Sequence, residues 1–88
     1  MSKETILAYL NSSRRDEALV ITWYCFEKGK STSLIQKFIQ ALRVEALYNN
    51  RREDSLLNYC YEYALTYYIM KYNIILAYDK NGKFIKAF

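Results

Sequence analysis

A mainly α-helical fold with a C-terminal β-hairpin is what these 88 residues predict, and three features of the sequence carry that expectation. Apolar residues recur at intervals of three and four, most clearly in Leu34, Ile35, Phe38, Ile39 and Leu42, which is the spacing of one helix face. Cap and stop residues punctuate the first 73 positions. Beyond Asn73 the period changes to that of strands, and two short runs flank an Asn-Gly pair.

Taken in order, Ser2 is placed to cap a short helix that ends at Leu10, and Asn11-Ser12-Ser13 follows as a break. These side chains compete for backbone hydrogen bonds and so interrupt a helix. Ser13-Arg14-Arg15-Asp16 has the spacing of a capping box, so a second helix is expected from there. Its body, Ala18 to Phe26, is almost continuously apolar and includes Val20, Ile21, Thr22, Trp23 and Tyr24. Periodicity alone leaves helix and buried strand both open; the preceding cap and the following Gly29 favour helix. Ser31 and its neighbours supply a fresh cap for the helix that carries Leu34 to Leu42. Phe38 sits at the centre of that apolar stripe and is expected in the core, while Gln36, Lys37, Gln40 and Arg43 fall on the solvated side. Arg43 to Asn50 adds about two turns of helix or a longer loop. Asn50-Arg51-Arg52-Glu53 repeats the capping pattern and opens a last helix reaching about Tyr72. Ile74 to Tyr78 and Phe84 to Phe88 are then the strands of a hairpin. Its turn, Asp79-Lys80-Asn81-Gly82-Lys83, holds the Asn-Gly pair that tolerates positive φ. A chain of this length has room for one hydrophobic core, so 1–88 reads as a single domain: an N-terminal helix over 1–13, a helical core over 14–73 and a hairpin over 74–88.

Composition removes several function classes. No apolar run approaches the roughly 20 residues needed to span a bilayer, so no membrane partner is expected. Met1-Ser2-Lys3-Glu4 puts an acid where a secretory signal is basic, and the expected location is intracellular, in the cytoplasm. There is no histidine, so the commonest general base is missing and Cys25 and Cys60 lack the partners of a four-ligand zinc site. The two cysteines read as buried thiols acting as small hydrophobes, or as a disulfide if the source is a hyperthermophile. The acidic pairs Asp16-Glu17 and Glu53-Asp54 each fall in a first helical turn, where negative charge complements the macrodipole. With no phosphate loop either, neither an enzyme nor a cofactor is expected, and no small-molecule substrate is implied.

A net charge of +4 favours anionic partners. The ten tyrosines concentrate in the last helix, at Tyr59, Tyr61, Tyr63, Tyr67, Tyr68 and Tyr72. That is more ring surface than one small core can cover with its hydroxyls satisfied, and a homodimer is its natural outlet. A short internal echo joins Tyr24-Cys25-Phe26-Glu27 to Tyr59-Cys60-Tyr61-Glu62, either a drifted duplication or a product of biased composition.

The stretch from Asp16 through Gly29-Lys30-Ser31-Thr32 to Leu34, and the stretch Tyr68 to Ile75 leading into Asn81-Gly82-Lys83-Phe84, resemble the winged helix-turn-helix family of DNA-binding proteins over residues 14–88. The tyrosine bias, with no proline and no histidine, resembles small proteins from viruses and plasmids of hyperthermophilic archaea, which would put the chain inside a virus's host cell. The resemblance implies a winged helix-turn-helix-like fold with an extra N-terminal helix, and a homodimeric regulator of transcription on double-stranded DNA. It also implies that the last helix is the recognition helix. Arg51, Arg52, Ser55 and Asn58 would then face the major groove, with the arginines reaching phosphate or guanine and Asn58 pairing an adenine. Lys80, Lys83 and Lys86 would sit on the wing, against the DNA backbone or minor groove. The rival expectation is a helical protein-interaction module, a small viral or plasmid factor that binds a host protein.

Overall fold

The computed structural model of the chain describes residues 1–49 and 56–88. Four helices, α1 (Lys3–Leu10), α2 (Glu17–Glu27), α3 (Thr32–Asn49) and α4 (Leu56–Lys71), precede strands β1 (Leu76–Tyr78) and β2 (Phe84–Ala87). The strands pair as one antiparallel hairpin. The chain divides into two compact units: Met1–Arg15 with Thr66–Phe88, and Asp16–Leu65.

In the first unit, Ser2 caps α1 as its sequence position predicts, with its Oγ accepting from the Thr5 amide at 3.2 Å. Ile6, Tyr9 and Leu10 recur at three and four and are buried. Tyr68, at the end of α4, is fully enclosed, with the Tyr67 ring edge-on at 5.2 Å and the Tyr72 ring parallel at 6.3 Å. The helix then stops on Asn73, whose φ of 52° is left-handed. The Ile74 amide donates back to the Ile69 carbonyl at 3.0 Å and the Asn73 amide to the Met70 carbonyl at 3.4 Å. This is the Schellman pattern, which satisfies carbonyls that the helix end would orphan. It also turns Ile74 inward, where it is buried.

The hairpin is fastened to the N-terminal break by one side chain. The Asn11 carboxamide donates to the Ala87 carbonyl at 3.0 Å and accepts from the Ala87 amide at 2.8 Å. It therefore reads β2 as a neighbouring strand would, and covers an edge that would otherwise be open. Nearby, Arg15 donates to the Leu10 carbonyl at the end of α1 (3.0 Å) and lies over the Phe84 ring at 5.0 Å.

In the second unit, residues 18–26 are helical throughout, which resolves the open choice between helix and strand. The cap lies three residues beyond the expected one. Asp16, not Ser13, accepts the first-turn amides of Ala18 and Leu19, at 3.1 and 3.4 Å. The displacement has a local cause: the Arg14 amide is taken by the Ser12 hydroxyl, and Arg15 by α1. Gly29, with φ at 77°, ends α2 in a second Schellman pattern, in which the Lys30 amide donates to the Cys25 carbonyl at 3.1 Å. Ser31 then caps α3 through the Leu34 amide. The segment after Arg43 continues as helix to Asn49, so the extra turns are realised in place of a loop. At the first described residue of α4, the Leu56 amide donates to the Glu45 carboxylate of α3 at 3.0 Å. The last capping box, Asn50 to Glu53, lies outside the described residues. Ala18, Val20, Ile21, Ile35, Ile39, Leu42, Tyr61, Ala64 and Leu65 are buried apolar side chains of this unit.

Asn11→Ala leaves both backbone groups of buried Ala87 without their partner. It is expected to lower stability by about 1–3 kcal/mol in denaturant unfolding. Asn11→Asp, which keeps the acceptor and loses the donor, should fall between the variant and the parent; equal stability of all three would remove the clamp.

Candidate functional site

Two surfaces carry chemistry, one in each unit. The first is the hairpin. Its ladder extends past the strands, with Ile75 and Phe88 exchanging both backbone hydrogen bonds at 2.8 and 3.0 Å. Pairing runs Leu76 with Ala87, Ala77 with Lys86 and Tyr78 with Phe84, so Ile85 is the extra residue of a β-bulge. The turn differs in detail from the one that Asn-Gly suggests. Gly82 alone is left-handed, at φ 81°, while Asn81 contributes only its amide. The organiser is Asp79, whose Oδ1 accepts from the amides of Asn81 and Lys83 at 2.8 and 2.9 Å. An Asx turn of this kind preorganises the loop. Lys80 and Lys83 in the turn and Lys86 in β2 are all exposed, while the Asp79 carboxylate is already engaged by backbone amides.

Of the residues assigned to the recognition helix, Arg51, Arg52 and Ser55 lie outside the described residues. Asn58 is in α4 and half-buried, whereas Glu62 and Thr66, at helical spacing from it, are exposed. On the other side of the helix Ala64 and Tyr68 are buried, and Leu57 and Cys60 half-buried.

The second surface is an apolar pocket of about 450 Å³ lined from α2, α3 and α4. Phe38 belongs here and not in the core: it is 40% exposed and Leu34 52%. The apolar stripe of α3 is wider than one contact needs, so Ile35, Ile39 and Leu42 fill the core while Leu34 and Phe38 form pocket wall. Both Tyr-Cys pairs of the sequence echo, Tyr24-Cys25 and Tyr59-Cys60, line the pocket together with Tyr63. Tyr24 and Tyr63 meet edge to face at 5.7 Å, and Lys28 lies over the outer Tyr24 ring at 5.5 Å. Cys25 and Cys60 are unbridged and half-buried. Burial pushes both thiols above the ordinary cysteine value; at Cys25 the Lys30 ammonium offsets part of the rise, and at Cys60 the neighbouring Cys25 adds to it. Lys30 is the one charged side chain in the lining among the described residues.

Among the described residues no cluster of three or more metal-ligating side chains forms, and no helix is long and apolar enough to cross a membrane. The pocket was not singled out by motif. The repeated Tyr-Cys pair was its only signal in the sequence. No family model, curated protein or solved structure matches the chain.

Because Leu42 is enclosed and Phe38 is rim, their truncations should separate. Leu42→Ala is expected to cost about 2–5 kcal/mol and Phe38→Ala about 1–2 kcal/mol, read as shifts in urea midpoint at constant m-value. A larger loss at Phe38 would return that ring to the core.

Proposed function

We propose that the chain is a winged helix-turn-helix-like DNA-binding protein, a small homodimeric regulator of transcription that uses α4 as recognition helix and the hairpin as wing. The observation that carries this reading is the hairpin that follows α4 in the chain, with exposed Lys80 and Lys83 in its Asp79-organised turn and exposed Lys86 in β2. Its physical rationale is phosphate neutralisation. Each lysine–phosphate contact releases condensed counterions, and a chain of net charge +4 is drawn to a polyanion at low salt. In this reading Arg51, Arg52, Ser55 and Asn58 address bases or phosphate, and the lysines track the backbone.

Self-association is assigned to a groove of α2 and α3 that Leu19, Phe26, Val44 and Leu47 leave apolar and exposed, Leu47 at 82%. Asp16 and Arg43 line the same groove, which gives a self-paired surface both signs of charge. The same exposed apolar side chains favour the second reading, a module that docks on another protein.

Binding to duplex DNA should weaken steeply with salt. Lys83→Ala is expected to lower the slope of log K against log salt by about one unit on all sequences, whereas Asn58→Ala should cost about 1–3 kcal/mol on a preferred site only, both measured by fluorescence anisotropy. A folded protein that binds no DNA at low salt passes the function to the interaction module. Light scattering should give a dimer at micromolar concentration and a monomer for Leu47→Glu; a monomeric parent overturns the dimer assignment.

A further inference from the structure

We infer that the Tyr-Cys pocket binds a small amphipathic anion, a carboxylate carried on an alkyl or aryl body. The body lies between the thiols and rings, and the carboxylate is held by Lys30. Size comes first: about 450 Å³ lies within the range of small-molecule sites, which are mostly apolar with few polar groups. Those walls are supplied by Ile21, Leu34, Phe38 and the two Tyr-Cys pairs.

Charge comes second. Lys30 is placed by backbone, since it follows left-handed Gly29 and its amide is bonded to the Cys25 carbonyl at 3.1 Å. Lys30 is exposed, it lines the pocket, and its charge acts on the Cys25 thiol. Burial keeps the two thiols neutral, and no carboxylate lines the pocket among the described residues. Among the described residues Lys30 is therefore the one charge in the lining itself, and Lys28, over the lining Tyr24 ring at 5.5 Å, is a second charge of the same sign beside it. A neutral apolar ligand would leave the Lys30 ammonium beside an apolar body without a counter-charge. A second copy of the chain is a poorer occupant, because a twofold contact centred on the pocket sets Lys30 against Lys30.

The two thiols report occupancy directly. With decanoate below its micellar concentration as probe, and decanol as its neutral counterpart, alkylation of Cys25 and Cys60 by iodoacetamide is followed by peptide mass mapping on the full chain. Both ligands should slow both thiols several-fold, and decanoate should bind about two- to five-fold more tightly than decanol, the range for a solvent-accessible ion pair. Lys30→Met, at an exposed position, should erase that preference while leaving decanol binding unchanged. Thiols unprotected by either ligand, equal affinity for acid and alcohol, a preference that survives in Lys30→Met, or a dimer whose thiols are shielded without ligand would each overturn the assignment.

Discussion

Without proline, the described part of this chain ends most of its elements on left-handed residues, and the packing that follows depends on where they fall. Among the described residues three adopt positive φ: Gly29, Asn73 and Gly82. Each stands where one element must end and the next begin in a different direction. Gly29 and Asn73 close helices with the same pair of backward hydrogen bonds, while Gly82 completes the hairpin turn. Glycine takes this conformation without a Cβ penalty. Asn73 carries a small cost, offset by the two carbonyls it satisfies and by the burial of Ile74 behind it. Among the described breaks, the one after α1 has no left-handed residue and is held by the Asn11 amide and the Arg15 guanidinium.

Termination has chemical consequences because a Schellman end fixes the residue after the glycine as firmly as the helix before it. At α2 that residue is Lys30, and the carbonyl receiving its amide belongs to Cys25. One backbone motif therefore ends the helix, leads into α3 and brings Lys30 into the lining of an apolar pocket beside Cys25. At α4 the same motif delivers Ile74 to the interior and points the chain into β1. Local geometry that looks like bookkeeping of orphan carbonyls thus decides what the two surfaces can bind.

Much of the architecture was legible because it rests on local rules. Ser2, Gly29, Ser31 and the strand period after Asn73 each act within a few residues, and each element they imply is present. What sequence did not reveal depended on competition between residues far apart or on neighbours already engaged. Ser13 has the right spacing for a cap, yet Ser12 and α1 take the groups that follow it, so Asp16 caps instead. Phe38 has core spacing, but a helix face carrying Leu34, Ile35, Phe38, Ile39 and Leu42 is too wide for one neighbour, and volume decides which members go inward. Asn11 looked like a simple helix breaker; that its amide would pair with Ala87, 76 positions away, is invisible to any local rule. The Tyr-Cys echo was visible, and its meaning was not, because convergence on one pocket is a property of the folded unit.

The tyrosines show how the same residue type is divided by the fold. Tyr61 and Tyr68 are buried and Tyr67 and Tyr72 half-buried, whereas Tyr59 and Tyr63 stay 67% and 59% exposed. The exposed pair lines the pocket, so the ring surface that a small core cannot absorb is not scattered over the helix. It is gathered where Cys25, Cys60 and Leu34 extend it into a concave wall. An aromatic wall of this kind stays rigid at low entropy cost, since each ring has only two torsions to fix and Tyr24 already braces Tyr63 edge to face. Exposed tyrosine then serves as preorganised lining, with its hydroxyl free to remain in water while the ring face meets an apolar body.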